Sequence, residues 1–367
     1  MESNYKRLGQ YIQPVDVRNK GDIRYDLLGV SVEKCFIESI ANTVGTDWHS
    51  YKIIKKGQFC YIPDTSRRGD KIGIALLTDR EIGLVSAVYT VFEVKSDELL
   101  PEYLMLWFKR AEFDRYARFH SHGSVREIFD WDEMCNVELP VPSVEKQKAI
   151  VDAYNTIERR IALKRKINDN LESQAYTLYR EWFIDNGDVH GATDCHLSDL
   201  ITIFDYKRIP LSSQERAEQS KTYRYFGAAR LLDYVGNYIF DGIYLLIGED
   251  GSVVDEFGYP YLQYVDGKFW VNNHAHIVQG NNNATTELLY LILLKTNIKE
   301  YVTGAVQAKL SQENLRAIPA ITLNPEDMKH FNTIIQPLFA IIRENNGELD
   351  KLSQLKQHVL SRLASLN

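Results

Sequence analysis

Between Val144 and Phe183, apolar side chains recur at alternating steps of three and four. Tyr154, Ile157, Ile161, Leu171, Ala175, Leu178 and Trp182 fall on this ladder, with polar Lys164 and Asn168 at its centre. This is the a/d seam of a heptad pattern. It predicts one helix of about 40 residues, roughly 60 Å long at about 1.5 Å per residue. A second seam runs through Ile335, Leu338, Ile342, Asn345, Leu349, Leu352, Lys356, Val359, Leu363 and Leu366. The two seams superpose without a gap: Ile335 falls on Tyr154, Leu338 on Ile157, Ile342 on Ile161, Asn345 on Lys164, Leu352 on Leu171 and Val359 on Leu178. Gly347 is expected to interrupt the second helix.

The correspondence continues upstream. "GSVREIFDWDEM" (Gly123–Met134) lies over "GAVQAKLSQENL" (Gly304–Leu315) at the same offset. Further back the offset drifts. "PEYLMLWFKRAEFDRYA" then lies over "TELLYLILLKTNIKEYV", and Lys55–Ser66 over Phe240–Gly251. Nearer the starts, "LGVS" (Leu28–Ser31) faces "FGAA" (Phe226–Ala229), and "KRLGQYI" faces "CHLSDLI". The order is the same in both halves, so the chain is an internal duplication of a globular part followed by a long helix. Two copies suit a pseudo-dimer whose helices pair within the chain; a surface helix or a homodimeric coiled coil is the alternative. Each globular part mixes short strand-like runs ("YDLLGVSV", "QFCYI", "GIYLLIG", "FWVNNHAHIV") with one clear helix, the first opened by Pro101. That predicts an α+β fold with a small sheet and helices packed on it. The divisions are 1–143, 144–185, 186–324 and 325–367. Loops between the matched framework share little, which points to two binding faces of different specificity.

Composition adds limits. The 367 residues suit two domains, and 44% hydrophobic with 25% charged residues is an ordinary soluble balance. No run approaches the length of a membrane span, and the N-terminus lacks a secretory signal. Cys35, Cys60, Cys135 and Cys195 form no C-x-x-C pair, which fits a reducing cytoplasm and argues against a disulfide framework or a cysteine zinc site. The net charge is −7, and the four divisions carry −3, +1, −5 and 0. A bulk nucleic-acid binder is therefore not indicated, and any DNA contact must come from local clusters.

The order of these parts resembles the DNA-specificity subunit of type I restriction–modification systems, across essentially the whole chain. "LPVPSVEKQKAIVDAYNTIERR", with Leu139-Pro140 ahead of Glu145-Lys146-Gln147, looks like that family's first helical region. "YLLIGEDGS" and "GAVQAKLSQENLRAIP" resemble segments of its recognition domains. The second helix departs from the pattern, with Pro325-Glu326-Asp327-Met328 where the first has Val144-Glu145-Lys146-Gln147. The resemblance implies two α/β target-recognition domains and two long helices pairing as an antiparallel coiled coil with pseudo-two-fold symmetry. Each domain reads one half of a split site in double-stranded DNA. The helices set the spacer and dock two methyltransferase (M) subunits, and restriction (R) subunits join that complex. The chain itself is expected to carry no catalysis, cofactor or metal, and to work in the cytoplasm away from membranes.

Candidate DNA contacts follow from side-chain chemistry, since Arg suits guanine, Asn and Gln suit adenine, and Lys and Ser hold phosphates. In the first half they are Ser66, Arg67, Arg68, Lys71, Arg115, Arg118, His120, His122, Ser124 and Arg126. In the second half they are Lys207, Arg208, Tyr223, Arg224, Arg230, Asn272, Asn273, His274, Gln307 and Lys309. Tyr225 and Trp270 are further aromatic candidates, and for each residue a solvated loop position is the alternative. The sequence lacks a methyltransferase Asn/Asp-Pro-Pro-aromatic segment and a G-x-x-x-x-G-K-[ST] loop. Pro63-Asp64 with Glu93-Val94-Lys95 outlines a metal-dependent nuclease, but so short a pattern arises often by chance in an alternating strand, which is the preferred reading; a coiled-coil adaptor is a further alternative. His120/His122 and His274/His276 read as loop or core histidines rather than metal pairs.

Overall fold

The computed structural model describes residues 5–21, 23–39, 47–66, 71–123, 126–281, 284–304 and 306–365. The chain divides into two compact units, one of Met1–Ala162 with Leu349–Asn367 and one of Leu163–Glu348.

The globular part of the first unit holds strands β1 (Tyr5–Arg7), β2 (Ile12–Val15), β3 (Leu27–Val30), β4 (Phe36–Glu38), β5 (Lys52–Lys55), β6 (Phe59–Tyr61), β7 (Ile74–Leu76), β8 (Ile82–Val85), β9 (Thr90–Val94) and β10 (Glu138–Pro140). Helices α1 (Pro101–Phe108), α2 (Ala111–Phe119) and α3 (Trp131–Asn136) lie between β9 and β10. The strands form sheets ordered β2-β9-β6-β7 and β4-β3-β8-β5 and a two-stranded ladder β1-β10. The pairings are antiparallel except β3 with β8. Phe59 and Phe92 stack at 4.8 Å in the core beneath α1, with Phe108 edge-on to both.

The second unit holds β11 (Thr193–His196), β12 (Ile201–Ile203), β13 (Tyr223–Phe226), β14 (Leu231–Val235), β15 (Phe240–Asp241), β16 (Tyr244–Gly248), β17 (Leu262–Val265), β18 (Lys268–Val271), β19 (Ala275–Gly280) and β20 (Pro319–Thr322). Its orders are β12-β19-β16-β17, β14-β13-β18-β15 and β11-β20. Adding ten to every strand label of the first unit reproduces the second, including the single parallel pair, β13 with β18. The register repeats as well: Leu28 lies opposite Val85, and Phe226, its sequence counterpart, lies opposite Val271. The duplication read from the sequence is therefore a duplication of topology.

Two long helices pass through both units: α4 (Val144–Tyr179), extended by a π-helical turn over Arg180–Asp185, and, after helices α5 (Ser213–Ala217), α6 (Thr286–Leu294) and α7 (Gln312–Ala317), helix α8 (Pro325–Arg362). In the first unit Val151 and Tyr154 share a core with Leu360 and Leu363, and Lys356 pairs with Glu158 at 2.7 Å. In the second unit Lys164 meets Asn345 at 2.7 Å and Glu348 at 2.9 Å, while Phe183 packs on Phe331. In each unit, residues further along α4 meet residues further back along α8, so the helices are antiparallel. Ile157, Ile161 and Ile342 are buried on the predicted seam, with Leu171, Leu178, Leu338, Leu352 and Val359 partly buried. Phe339 and Leu360, outside the predicted ladder, are also buried.

The polar centre is a hydrogen-bonded layer. Asn345, 3% exposed, donates to Asn168 Oδ1 and accepts from Lys164, while Asn168 donates to Asn346. Lys356, the other polar position of the second seam, takes no part in it; its partner is Glu158. Buried amides of this kind fix register, because a slip leaves them unpaired. Gly347 does not interrupt α8. It is exposed, a Cβ there would meet nothing within 4 Å, and the packed residues on either side carry the helix through it. Gly347→Ala is therefore expected to raise stability by about 0.5–1 kcal/mol, read as a higher midpoint in thermal denaturation.

The motif residue Gln147 also acquires a physical role. Fully buried, it accepts from Leu100 N–H at 2.8 Å and donates to the Glu98 and Pro142 carbonyls, tying the start of α4 to that of α1. Its counterpart Met328 packs in an apolar cluster instead. No helix among the described residues is long and apolar enough to cross a membrane.

Candidate nucleic-acid interface

In each unit the loop that leaves β6, or β16 in the second, is laced to a second loop. In the first unit Phe129 N–H donates to Pro63 O and Thr65 N–H to Glu127 O. In the second, Leu310 N–H donates to Glu249 O and Gly251 N–H to Ala308 O. The matching isolated bridges are Asp64 with Ile128 and Asp250 with Lys309. The loop after β6 thus corresponds to that after β16 one residue further on than the sequence alignment placed it.

The other partner in each lacing is a hairpin. Reciprocal backbone bonds close it between His122 and Ile128, and between Thr303 and Lys309, all within 2.8–3.1 Å. The residue after the first closing position is glycine in both, at φ +138 for Gly123 and +94 for Gly304. A Cβ would lie 2.0 Å from the Arg126 or Gln307 carbonyl oxygen, so only glycine permits the turn.

Around these hairpins the structure gathers some of the candidate contacts. In the first unit Ser66 is held in a turn by Asp64, Arg118 pairs with Glu127, and His120 and His122 both face Glu133, at 3.2 and 3.9 Å. Arg115 pairs with Glu112, and Lys71 lies against Glu33 on a different loop. Arg126 is exposed. Arg67, Arg68 and Ser124 lie outside the described residues. In the second unit Asn273 and His274 lie in the turn between β18 and β19, and Lys309 and His274 both approach Asp250. Gln307 is exposed in the hairpin, and Lys207 lies over the Phe204 and Tyr206 rings. Arg230 is exposed in the turn after β13, its carbonyl accepting from Gly227 N–H.

Several candidates stand apart. Tyr223 and Arg224 occupy the far end of β13, where Tyr223 packs on Tyr238 and Arg224 is bonded to the Asp266 carbonyl. Tyr225 is buried, and Trp270 Nε1–H donates to Ile209 O. Asn272 is buried, its side chain accepting from His274 N–H. Arg208 is not a loose surface charge. It donates to the Asp205, Asn273 and Ala275 carbonyls and to the Glu249 carboxylate, with its side chain only 14% exposed.

Arg208 belongs to a buried polar network that the sequence did not suggest. Asp205 accepts from Ile277 N–H at 2.9 Å and Gln312 Nε2 at 2.7 Å, and lies 2.6 Å from His276 Nδ1. His276 Nε2 lies 2.8 Å from Leu310 O. Burial pushes the Asp205 carboxyl up, but the bond and charge of His276, the Ile277 N–H and the Arg208 guanidinium together hold it below its ordinary value. Asp205, Glu249 and His276 have the spacing of metal ligands. Arg208 already supplies the countercharge to both carboxylates, so the group reads as a structural tie between the β12 loop, the β16 loop, β19 and α7. Asp64 and Glu93, the suggested nuclease pair, are not brought into such a group: Asp64 caps Ser66, and Glu93 accepts from Gln13 and Gln58.

Comparison with known proteins agrees with this architecture. The type I restriction modification DNA specificity domain matches twice, at 15–173 and 192–354. The putative specificity subunit S.HindORF215P of Haemophilus influenzae is 37% identical over 123 residues, 34% of this chain and 31% of that protein. The HindI specificity subunit of the same organism is 27% identical over 48% of this chain and 38% of its own length. The chain thus spans about a third of these two relatives. The MjaIX specificity subunit of Methanocaldococcus jannaschii is 22% identical over 74% of this chain and 69% of its own. The crystal structure of a type I restriction-modification S subunit from M. genitalium shares the fold, with a TM-score of 0.59 at 14% identity over 98% of this chain and 95% of that one. The two domain matches cover most of the sequence, and the chain belongs to the type I restriction modification DNA specificity domain family.

Proposed function

We propose that this chain is the non-catalytic DNA-recognition subunit of a type I restriction–modification complex. Residues 1–143 and 186–324 act as target-recognition domains, each reading one half of a bipartite site in double-stranded DNA. The helices of 144–185 and 325–367 set the spacer and dock methyltransferase subunits, two per chain, with restriction subunits joining in the cytoplasm. One observation carries this reading: an identical strand topology occurs twice, and the same hairpin in each copy bears different side chains. A common frame with unlike tips is what a reader of two unlike half-sites requires.

The charge balance makes the reading specific. With a net charge of −7, the isolated chain lacks the phosphate-neutralising surface that supplies most nonspecific affinity. It is expected to bind DNA weakly alone and tightly with methyltransferase subunits, which complete the clamp. Mixing the chain with its cognate methyltransferase and mapping methylated adenines tests this. The expected result is a split site with an unread spacer of roughly 5–8 base pairs, since a helical turn is about 10; a continuous site would overturn it.

A further inference from the structure

Resting on that reading, we propose that Arg126 and Gln307 occupy one specificity-determining position, used twice: Arg126 reads a guanine in one half-site and Gln307 an adenine in the other. The two residues are equivalent by structure. Each lies three residues after a glycine whose positive φ favours glycine alone, and each has its own carbonyl oxygen 2.0 Å from where that glycine's Cβ would be. Each lies between the same closing pairs, His122 with Ile128 and Thr303 with Lys309. The frame is therefore shared while the side chain differs.

Both side chains are exposed, and among the described residues neither has a hydrogen-bonding or ionic partner. Their neighbours are otherwise committed: Arg118 to Glu127, Lys309 and His274 towards Asp250, and Arg208 within the buried network. A committed cation can neutralise a phosphate nearby, but a base edge needs a side chain whose donors and acceptors are free. A two-stranded hairpin fits the major groove, where an Arg fork matches guanine O6 and N7 and a Gln amide matches adenine N6 and N7.

The test uses the assembled methyltransferase complex. Wild type, Arg126→Gln, Gln307→Arg and the two alanine variants are each offered a library of split sites, and methylated sites are sequenced. Circular dichroism confirms that the variants fold. Gln307→Arg is expected to exchange one adenine for guanine in one half-site, with the other half-site and the spacer unchanged. Arg126→Gln is expected to make the converse exchange in the other half-site. The alanine variants lose preference at that one position by about 5- to 150-fold. Weakening that is uniform across all sequences, as phosphate contacts would give, overturns the assignment while leaving the bipartite reading intact, as does an unchanged preference. If wild type itself methylates no split site, the proposed function fails and this assignment falls with it.

Discussion

Asp205→Ala is expected to lower the thermal midpoint of the second unit by on the order of 10 °C. Removing one member of a buried ionic network costs about 3–5 kcal/mol, because the remaining groups stay buried without a partner. Here the loss would strand His276 Nδ1, the Ile277 N–H, Gln312 Nε2 and one side of the Arg208 guanidinium together. For a unit of this size each kcal/mol moves the midpoint by about 2–4 °C. The pH dependence gives the effect a signature that a simple packing defect lacks. Asp205 is held below its ordinary carboxylate value in the folded state. Its contribution is therefore fully present above the unfolded value, near about 4, and is lost as pH falls through the lower folded value. The gap between wild type and Asp205→Ala should be constant near neutrality and narrow in acid. Thermal scans at several pH values check this. A gap that is small, or that widens as pH falls, would show that Asp205 is not the hub of the network.

The same network shows where sequence reasoning ended. The long helices were legible because their information is local: a step of three and four carries both the helix and its buried face, and Ile157, Ile161 and Ile342 are buried as that step requires. The duplication was legible because corresponding strands keep apolar residues at corresponding registers, so Leu28 and Phe226 could be matched before their parallel partners were known. Helix orientation was not legible, since a seam with a polar centre is compatible with either direction; Lys164 meeting Glu348 while Phe183 meets Phe331 settles it. Nor was the fate of Arg208. A Lys-Arg pair after a strand reads as a surface cluster, and nothing local marks that Glu249, 41 residues on, and Ala275, 67 residues on, will close around it. Gly347 misled for the opposite reason: propensity is a local cost of about 1 kcal/mol, and tertiary packing along the rest of α8 outweighs it. The equivalence of Arg126 and Gln307 was present in the alignment of "GSVR" with "GAVQ", but only the closing bridges and the glycine geometry turned it into a shared position.

Inserting one heptad into both α4 and α8, beside the polar layer of Lys164, Asn168 and Asn345, is expected to lengthen the spacer while leaving both half-site sequences unchanged. Seven residues add about 10 Å of helix and return the seam to nearly the same face. At about 3.4 Å per base pair along one strand, that corresponds to roughly three base pairs. The half-sites should not change, because the hairpins that carry Arg126 and Gln307 are laced to the loops after β6 and β16 and not to the long helices. An insertion in α4 alone serves as the contrasting variant. It would set Asn168 against the wrong residue of α8 and leave Lys164 and Asn345 without their hydrogen bonds. That variant is expected to lose stability and activity rather than acquire a new spacer, because buried polar groups tolerate no slip. Methylation mapping separates the outcomes. New half-sites with the double insertion would mean that the helices take part in reading bases, and an unchanged spacer would mean that the distance between half-sites is set outside this chain.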